Sequence, residues 1–172
     1  DGVAPADVYK VLDTPEGVDR AFAKLDTIKS DIVWWSANAQ AAQLLVDGEV
    51  AVSEIYNGRF YDAVKNSGKN LVPIWEGQVY STDTWIIPKG ANVALAHKFL
   101  AYMLQPKVLA NFSNRIPYAP ARTSALEFVS PEMAPFLPTA PQNFASALSS
   151  NEEWWADHDE ALRERFESWL SQ

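Results

Sequence analysis

Cysteine is absent from this 172-residue sequence. No disulfide framework, thiolate metal site or cysteine nucleophile can therefore exist in it. Export remains compatible, because a domain of this size folds without covalent staples. Histidine is nearly absent too. His97 and His158 sit far apart, in polar settings, and lack the ligand spacing a metal needs, so both read as solvated helix-face residues. No metal and no cofactor are expected. Basic residues are outnumbered, with Lys plus Arg at 14 against Asp plus Glu at 22, for a formal charge of −8. That balance excludes a surface built to neutralise phosphates, so no nucleic-acid partner is expected. It also argues against adhesion to an anionic membrane. No apolar run approaches the ~20 residues of a spanning helix, so no direct membrane insertion is expected. The start lacks a basic n-region followed by an apolar h-region, so no signal peptide is expected within this sequence. Phosphate-binding glycine loops and the G-x-S-x-G elbow are missing as well.

What is present is apolar and aromatic. Hydrophobic residues make up 48 %, enough for a core, and aromatics 12 %, with seven tryptophans. Thr14-Pro15-Glu16 predicts a helix start, with Val18, Ala21, Phe22, Leu25 and Ile28 at helical spacing. Residues 31–35 form a short apolar run that predicts a buried strand. Ser36 is placed to cap a helix running to Asp47, which Gly48 ends. Strands are predicted over 50–56 and 71–75, with Asn57-Gly58 as a turn and a short helix from Arg59 to Asn66. Residues 79–87 predict the strongest strand, stopped by Pro88-Lys89-Gly90. Asn92 predicts a helix cap, and Pro106 starts a further short helix. Six of the eleven prolines fall in 117–141, a loop-rich crossing between packed bodies. Asn151 predicts the cap of a long helix to Leu170, with Trp155, Leu162, Phe166 and Trp169 as its apolar stripe. Strands alternating with helices indicate an α/β fold. The opening Asp1-Gly2-Val3-Ala4-Pro5 reads as the middle of a loop, as in the later part of a longer polypeptide.

Carboxylates near aromatics carry the most chemical information. In a strand, Ser81, Asp83, Trp85 and Ile87 would share one face. An acid flanked by rings suits an ammonium ion: the carboxylate takes its charge and hydrogen bonds, and a ring face adds about 0.5–2 kcal/mol. The plainer reading of Asp83 is an acid at the exposed start of a strand. Trp34 and Trp35 point opposite ways on a strand, so one at most walls a given cleft, and core packing is the alternative for each. Tyr56 ends a strand where a polar-tipped ring could reach a ligand. Tyr118 stands in a stiff loop between Pro117 and Pro120. Trp154-Trp155 would close a pocket or pack a lid. Glu76 and Asp83 also admit the two carboxylates of a glycosidase, and exposed tryptophans an interaction module.

An ordered set of segments resembles a known family. It comprises 44–50 (LLVDGEV), 55–59 (IYNGR), 82–90 (TDTWIIPKG), 96–100 (AHKFL) with 104–106 (LQP), and 116–120 (IPYAP). Together they resemble the periplasmic solute-binding proteins of spermidine/putrescine-type ABC transporters, from about Pro15 to Leu170. The resemblance implies the C-terminal part of a two-lobed periplasmic binding protein (type II) fold, which closes on its solute like a hinged clamp. It implies a second-lobe segment over 1–82, a segment returning to the first lobe over 83–140, and a C-terminal helix over 141–172 packing back on the second lobe. The site would lie in the cleft between lobes. Asp83 matches the acid that receives a ligand amine, Tyr56 an aromatic before Asn-Gly, and Tyr118 a cleft tyrosine. Ser81 stands where polyamine binders carry a second tryptophan, which is a departure. Trp155 falls near a polar contact position.

The sequence thus predicts a periplasmic, non-catalytic binding component. It would capture a small cationic solute such as a polyamine and pass it to an ABC permease in the inner membrane. The ligand-binding candidates are Asp83, Tyr56, Tyr118, Ser81, Trp85, Trp155 and Trp34. The alternatives are a binder of the same family for an amino acid, opine or sugar, and a carbohydrate hydrolase.

Overall fold

The computed structural model describes residues 2–172. They divide into two compact units. The smaller joins the residues up to Ile32 with Val79–Ser81 and Ala147–Gln172, and the larger joins Val33–Gln78 with Thr82–Ser146.

In the smaller unit, α1 (Val8–Leu12) turns sharply into α2 (Pro15–Asp26). Thr14 makes the turn as expected. Its hydroxyl accepts from the Gly17 N–H at 3.1 Å and donates to the Val11 carbonyl at 2.9 Å. The corner is so tight that a Cβ on Gly17 would lie 1.8 Å from the Val11 carbonyl oxygen, which is fixed backbone. Gly17→Ala is expected to cost about 1–3 kcal/mol or more, read as a lowered urea midpoint. Long helix α8 (Glu152–Leu170) is capped by Asn151, whose side chain accepts from the Trp154 N–H at 3.1 Å. Near its end, buried Trp169 donates from Nε1 to Asp26 at 2.6 Å and meets Phe22 edge-on at 6.0 Å. Lys29 lies over the Trp169 ring and donates to its carbonyl. Arg165 pairs with Asp19 at 2.7 Å while its guanidinium covers Phe22.

The larger unit pairs α3 (Asn38–Asp47) with α4 (Asn57–Ser67) over buried Ala41, Leu44, Phe60 and Ala63. Helix α5 (Val93–Met103) is capped by Asn92, which accepts from the Leu95 N–H at 3.0 Å, and α6 (Pro106–Ser113) starts at its proline. Buried Ala110, Ser113 and Ala125 pack α6 on the 3₁₀ turn Thr123–Phe128. The proline-rich crossing ends in the short α7 (Pro141–Phe144). Proline cannot donate a backbone hydrogen bond, so side-chain amides serve the carbonyls here. Buried Asn143 donates to the Pro135 and Leu137 carbonyls, both at 2.8 Å. Gln78 donates to the carbonyls of Pro138 at 2.9 Å and Asn143 at 2.6 Å.

Several expectations need correcting. Only Val79–Tyr80 (β1) of the 79–87 stretch is a strand, paired in parallel with Leu148–Ser149 (β2). The stretches 31–35, 50–56 and 71–75 have no ladder partner among the described residues and are not strands, and Asp31 ends a 3₁₀ turn instead. Alternation and β-branching mark residues that suit a sheet, yet a strand exists only where a neighbour supplies its hydrogen bonds. Asn57-Gly58 is the first turn of α4 rather than a turn preceding it, and Ala37, not Ser36, precedes α3. Of the adjacent pair at the start of α8, Trp154 is the buried ring and Trp155 is exposed. His158 is half-buried rather than solvated. It stacks on Trp154 at 4.2 Å, its Nδ1–H donates to the Trp154 carbonyl at 2.7 Å, and Nε2 lies 3.5 Å from Asp13.

Candidate functional site

Residues 60 apart in sequence meet at the start of α4. Tyr56 is the residue before the helix, and its carbonyl accepts from the Arg59 and Phe60 N–H groups at 2.9 and 3.0 Å. No side chain caps this helix start. Its first amides and the positive end of the helix dipole therefore stay available. Asn57 looks away from its own helix: Nδ2 donates to the Pro117 carbonyl at 2.5 Å. Gly58 is needed for space, since a Cβ there would lie 3.0 Å from both Cε1 and Oη of Tyr118. The Tyr118 ring thus lies against the first turn of α4.

Tyr118 is fixed at its root as well. Its N–H donates to the Ile116 carbonyl at 2.7 Å, and its carbonyl accepts from the Ser113 hydroxyl at 2.8 Å. Pro117 beside it is fully buried, and Phe112 flanks the ring at 6.2 Å. Tyr56 and Tyr118 nevertheless remain exposed. The corner presents two phenols, free helix amides and the exposed Arg59, which has no ion pair among the described residues. Such groups donate hydrogen bonds to a carboxylate or a hydroxyl. Asn57 and Gly58 carry no local signal of a site-building role, because Asn-Gly reads as a turn. Nothing in the sequence ties position 57 to position 117.

The other candidates lie elsewhere. Asp83 is exposed in the irregular segment between β1 and α5, and it makes no hydrogen bond or ion pair among the described residues. Trp85, also exposed, meets Phe99 edge-on at 5.5 Å. Because β1 stops at Tyr80, no ladder aligns Ser81, Asp83 and Trp85 on a common face. Ser81 and Trp34 are exposed. Glu76, the other half of the glycosidase pair, is exposed too. Trp155 belongs to the smaller unit, where its Nε1 donates to the Tyr9 hydroxyl at 3.2 Å and its ring meets Trp154 edge-on at 5.1 Å. Nearby, a groove is bordered by Tyr9, Tyr80, Leu148, Asn151, Glu152 and Glu153. Carboxylates beside phenols in this groove match the chemistry sought at Asp83, and the separation of Tyr80 from residues 152–153 hid them from sequence reading. No cluster of three metal-ligating side chains occurs among the described residues.

Comparison with known proteins gives this geometry its context. The family profile described as "Bacterial extracellular solute-binding protein" matches residues 1–145. The chain belongs to that family. Among curated members, the gamma-aminobutyric acid-binding protein of Pseudomonas aeruginosa is 45 % identical over 172 residues, covering 99 % of this chain and 49 % of the relative. The spermidine/putrescine-binding periplasmic protein of Salmonella typhimurium is 26 % identical over 123 residues, covering 70 % of this chain and 35 % of that one. Among solved structures, the Atu4243-GABA receptor superposes with a TM-score of 0.81 at 34 % identity, covering 99 % of this chain and 51 % of that chain. The binding protein MotA from A. tumefaciens B6, in complex with glucopine, gives 0.82 at 32 %, covering 98 % and 53 %. This solute-binding family chain spans about half the length of the relatives it matches most fully. The fold is that of the C-terminal part of a two-lobed α/β periplasmic binding protein, here mostly helical with one small parallel sheet.

Proposed function

We propose that this protein is the solute-binding component of an ABC transporter, capturing a small amino acid or opine with a γ-aminobutyrate-like zwitterion as the leading candidate. It works in the periplasm, hands the solute to an inner-membrane permease and catalyses nothing. The observation that carries this reading is the 45 % identity, along almost the whole chain, to a protein named for binding γ-aminobutyrate. The polyamine expected from the sequence draws support from the more distant relatives alone, and Ser81 departs from the polyamine pattern.

A zwitterion needs two opposite receptors. In this reading Asp83 receives the ammonium group, as in a cationic solute. The start of α4, with Tyr56, Arg59 and Tyr118, receives the carboxylate through hydrogen-bond donors and the helix dipole. Trp34 and Trp85 supply aromatic surface. The lobes run as 1–82 and 141–172 for the second lobe and 83–140 for the first.

A thermal-shift comparison tests this on the native full-length polypeptide. γ-Aminobutyrate or glucopine at a hundred times its Kd is expected to add about 2.7 kcal/mol and so raise the melting temperature by several degrees. Putrescine and spermidine are expected to add little. A shift with polyamines alone would return the solute to the cationic class, and no shift with any amine would overturn the reading. The hydrolase alternative requires altered solute after incubation, whereas a binder returns it unchanged.

A further inference from the structure

Two residues at the start of α4 are placed against their local preferences. An asparagine in the first turn of a helix ordinarily turns its side chain to backbone groups close by in sequence. The Asn57 amide reaches instead to the Pro117 carbonyl, 60 residues on, at 2.5 Å. Gly58 puts into the same turn the residue that favours a helix least after proline. The space it leaves is filled by the Tyr118 ring, whose Cε1 and Oη both lie 3.0 Å from where a Cβ would stand. Both contacts fall within the larger unit.

The ring they hold is fixed at one end and open at the other. Its root is tied twice, through the Tyr118 N–H to the Ile116 carbonyl and through the Tyr118 carbonyl to the buried Ser113 hydroxyl. Its outer end is 40 % exposed, and the phenolic hydroxyl makes no hydrogen bond among the described residues. Such a ring keeps a hydrogen-bond donor aimed and available. An aimed donor binds more tightly than a mobile one, because less side-chain freedom is left to lose on binding.

We propose that Asn57 and Gly58 are positioning residues for solute capture. Asn57 holds the Tyr118 loop through the Pro117 carbonyl, and Gly58 seats the ring, so that the phenol stands beside the first turn of α4. Neither residue needs to touch the solute. The assignment rests on the functional reading above for what the Tyr118 hydroxyl meets, whereas the seating of the ring is measurable without any solute.

The test uses the native full-length polypeptide, carrying 3-fluorotyrosine at position 118. Fluorine NMR without solute reads the ring, and calorimetry with γ-aminobutyrate reads capture. Asn57→Ala and Gly58→Ala are each expected to move the fluorine resonance toward that of free fluorotyrosine and to weaken γ-aminobutyrate binding about tenfold. In a Tyr118→Ala background, where no ring remains to be placed, the same substitutions are expected to change affinity by no more than about twofold. Alanine favours a helix over glycine, so Gly58→Ala keeps the test decisive should Asn57→Ala fail to fold. Asn66→Ala, which removes an amide at the far end of α4, is expected to leave both readouts unchanged. An unmoved resonance, or an affinity loss that persists undiminished without the Tyr118 ring, would overturn the proposal. A displaced ring in a protein whose parent binds no γ-aminobutyrate would uphold the seating of Tyr118 and count against the solute reading alone.

Discussion

Asp83→Asn is expected to weaken capture of a γ-aminobutyrate-like amine by about thirty- to a hundredfold in the native full-length protein, as measured by calorimetry. The side chain keeps its size and loses only its charge. On an open surface that exchange would matter little, because exposed ion pairs contribute about 0–1 kcal/mol. In the proposed complex, solute and closing lobe exclude water, and removing one partner of a desolvated, hydrogen-bonded charge pair costs about 2–3 kcal/mol or more. The exposure of Asp83 in the present chain leaves its carboxylate free to take on that role. An affinity changed less than threefold would remove Asp83 from the site. Neutral hydroxyl-bearing solutes serve as the control and should be nearly indifferent to the substitution.

Trp154→Ala carries the largest expected loss of stability, about 3–5 kcal/mol in the smaller unit. The ring is buried and meets four partners. Tyr9 packs on it at 5.3 Å, Trp155 at 5.1 Å and His158 at 4.2 Å, while Nε1 donates to Asp13 at 3.2 Å. Truncation opens a cavity and also strands Asp13 and His158 without their shared neighbour. Trp154→Phe retains most of the packing and gives up the hydrogen bond, so its expected loss is nearer 1 kcal/mol. Urea unfolding followed by circular dichroism ranks the two. Equal losses would mean that the hydrogen bond, and not the ring, holds α8 to the α1–α2 corner.

Helix boundaries were legible because single residues set them. Thr14, Asn92 and Asn151 each accept the backbone N–H that their position predicts, and Pro15 and Pro106 start their helices. The strands were not, because a strand's partner lies outside its own sequence. Residues 79–87 have the composition of a strand and find a neighbour for two positions only. Parity errors follow the same logic. Trp154 and Trp155 are adjacent on a helix, and which of them is buried depends on where α1 lies, which local periodicity does not encode. The corner of Tyr56 and Tyr118 was half legible. Each residue stood out alone, whereas their meeting depends on Asn57 reaching Pro117 and on the missing side chain at Gly58.

The amide knot in the proline-rich crossing has a consequence for chemical ageing. Asn143 and Gln78 hold four carbonyl oxygens through N–H donors alone. Hydrolysis of either side-chain amide, in which water adds and ammonia leaves, would keep its outline and reverse its polarity, setting a carboxylate oxygen against a carbonyl. Hydrolytic wear at two side chains, invisible in outline, would thus loosen a stretch that has no regular sheet to fall back on.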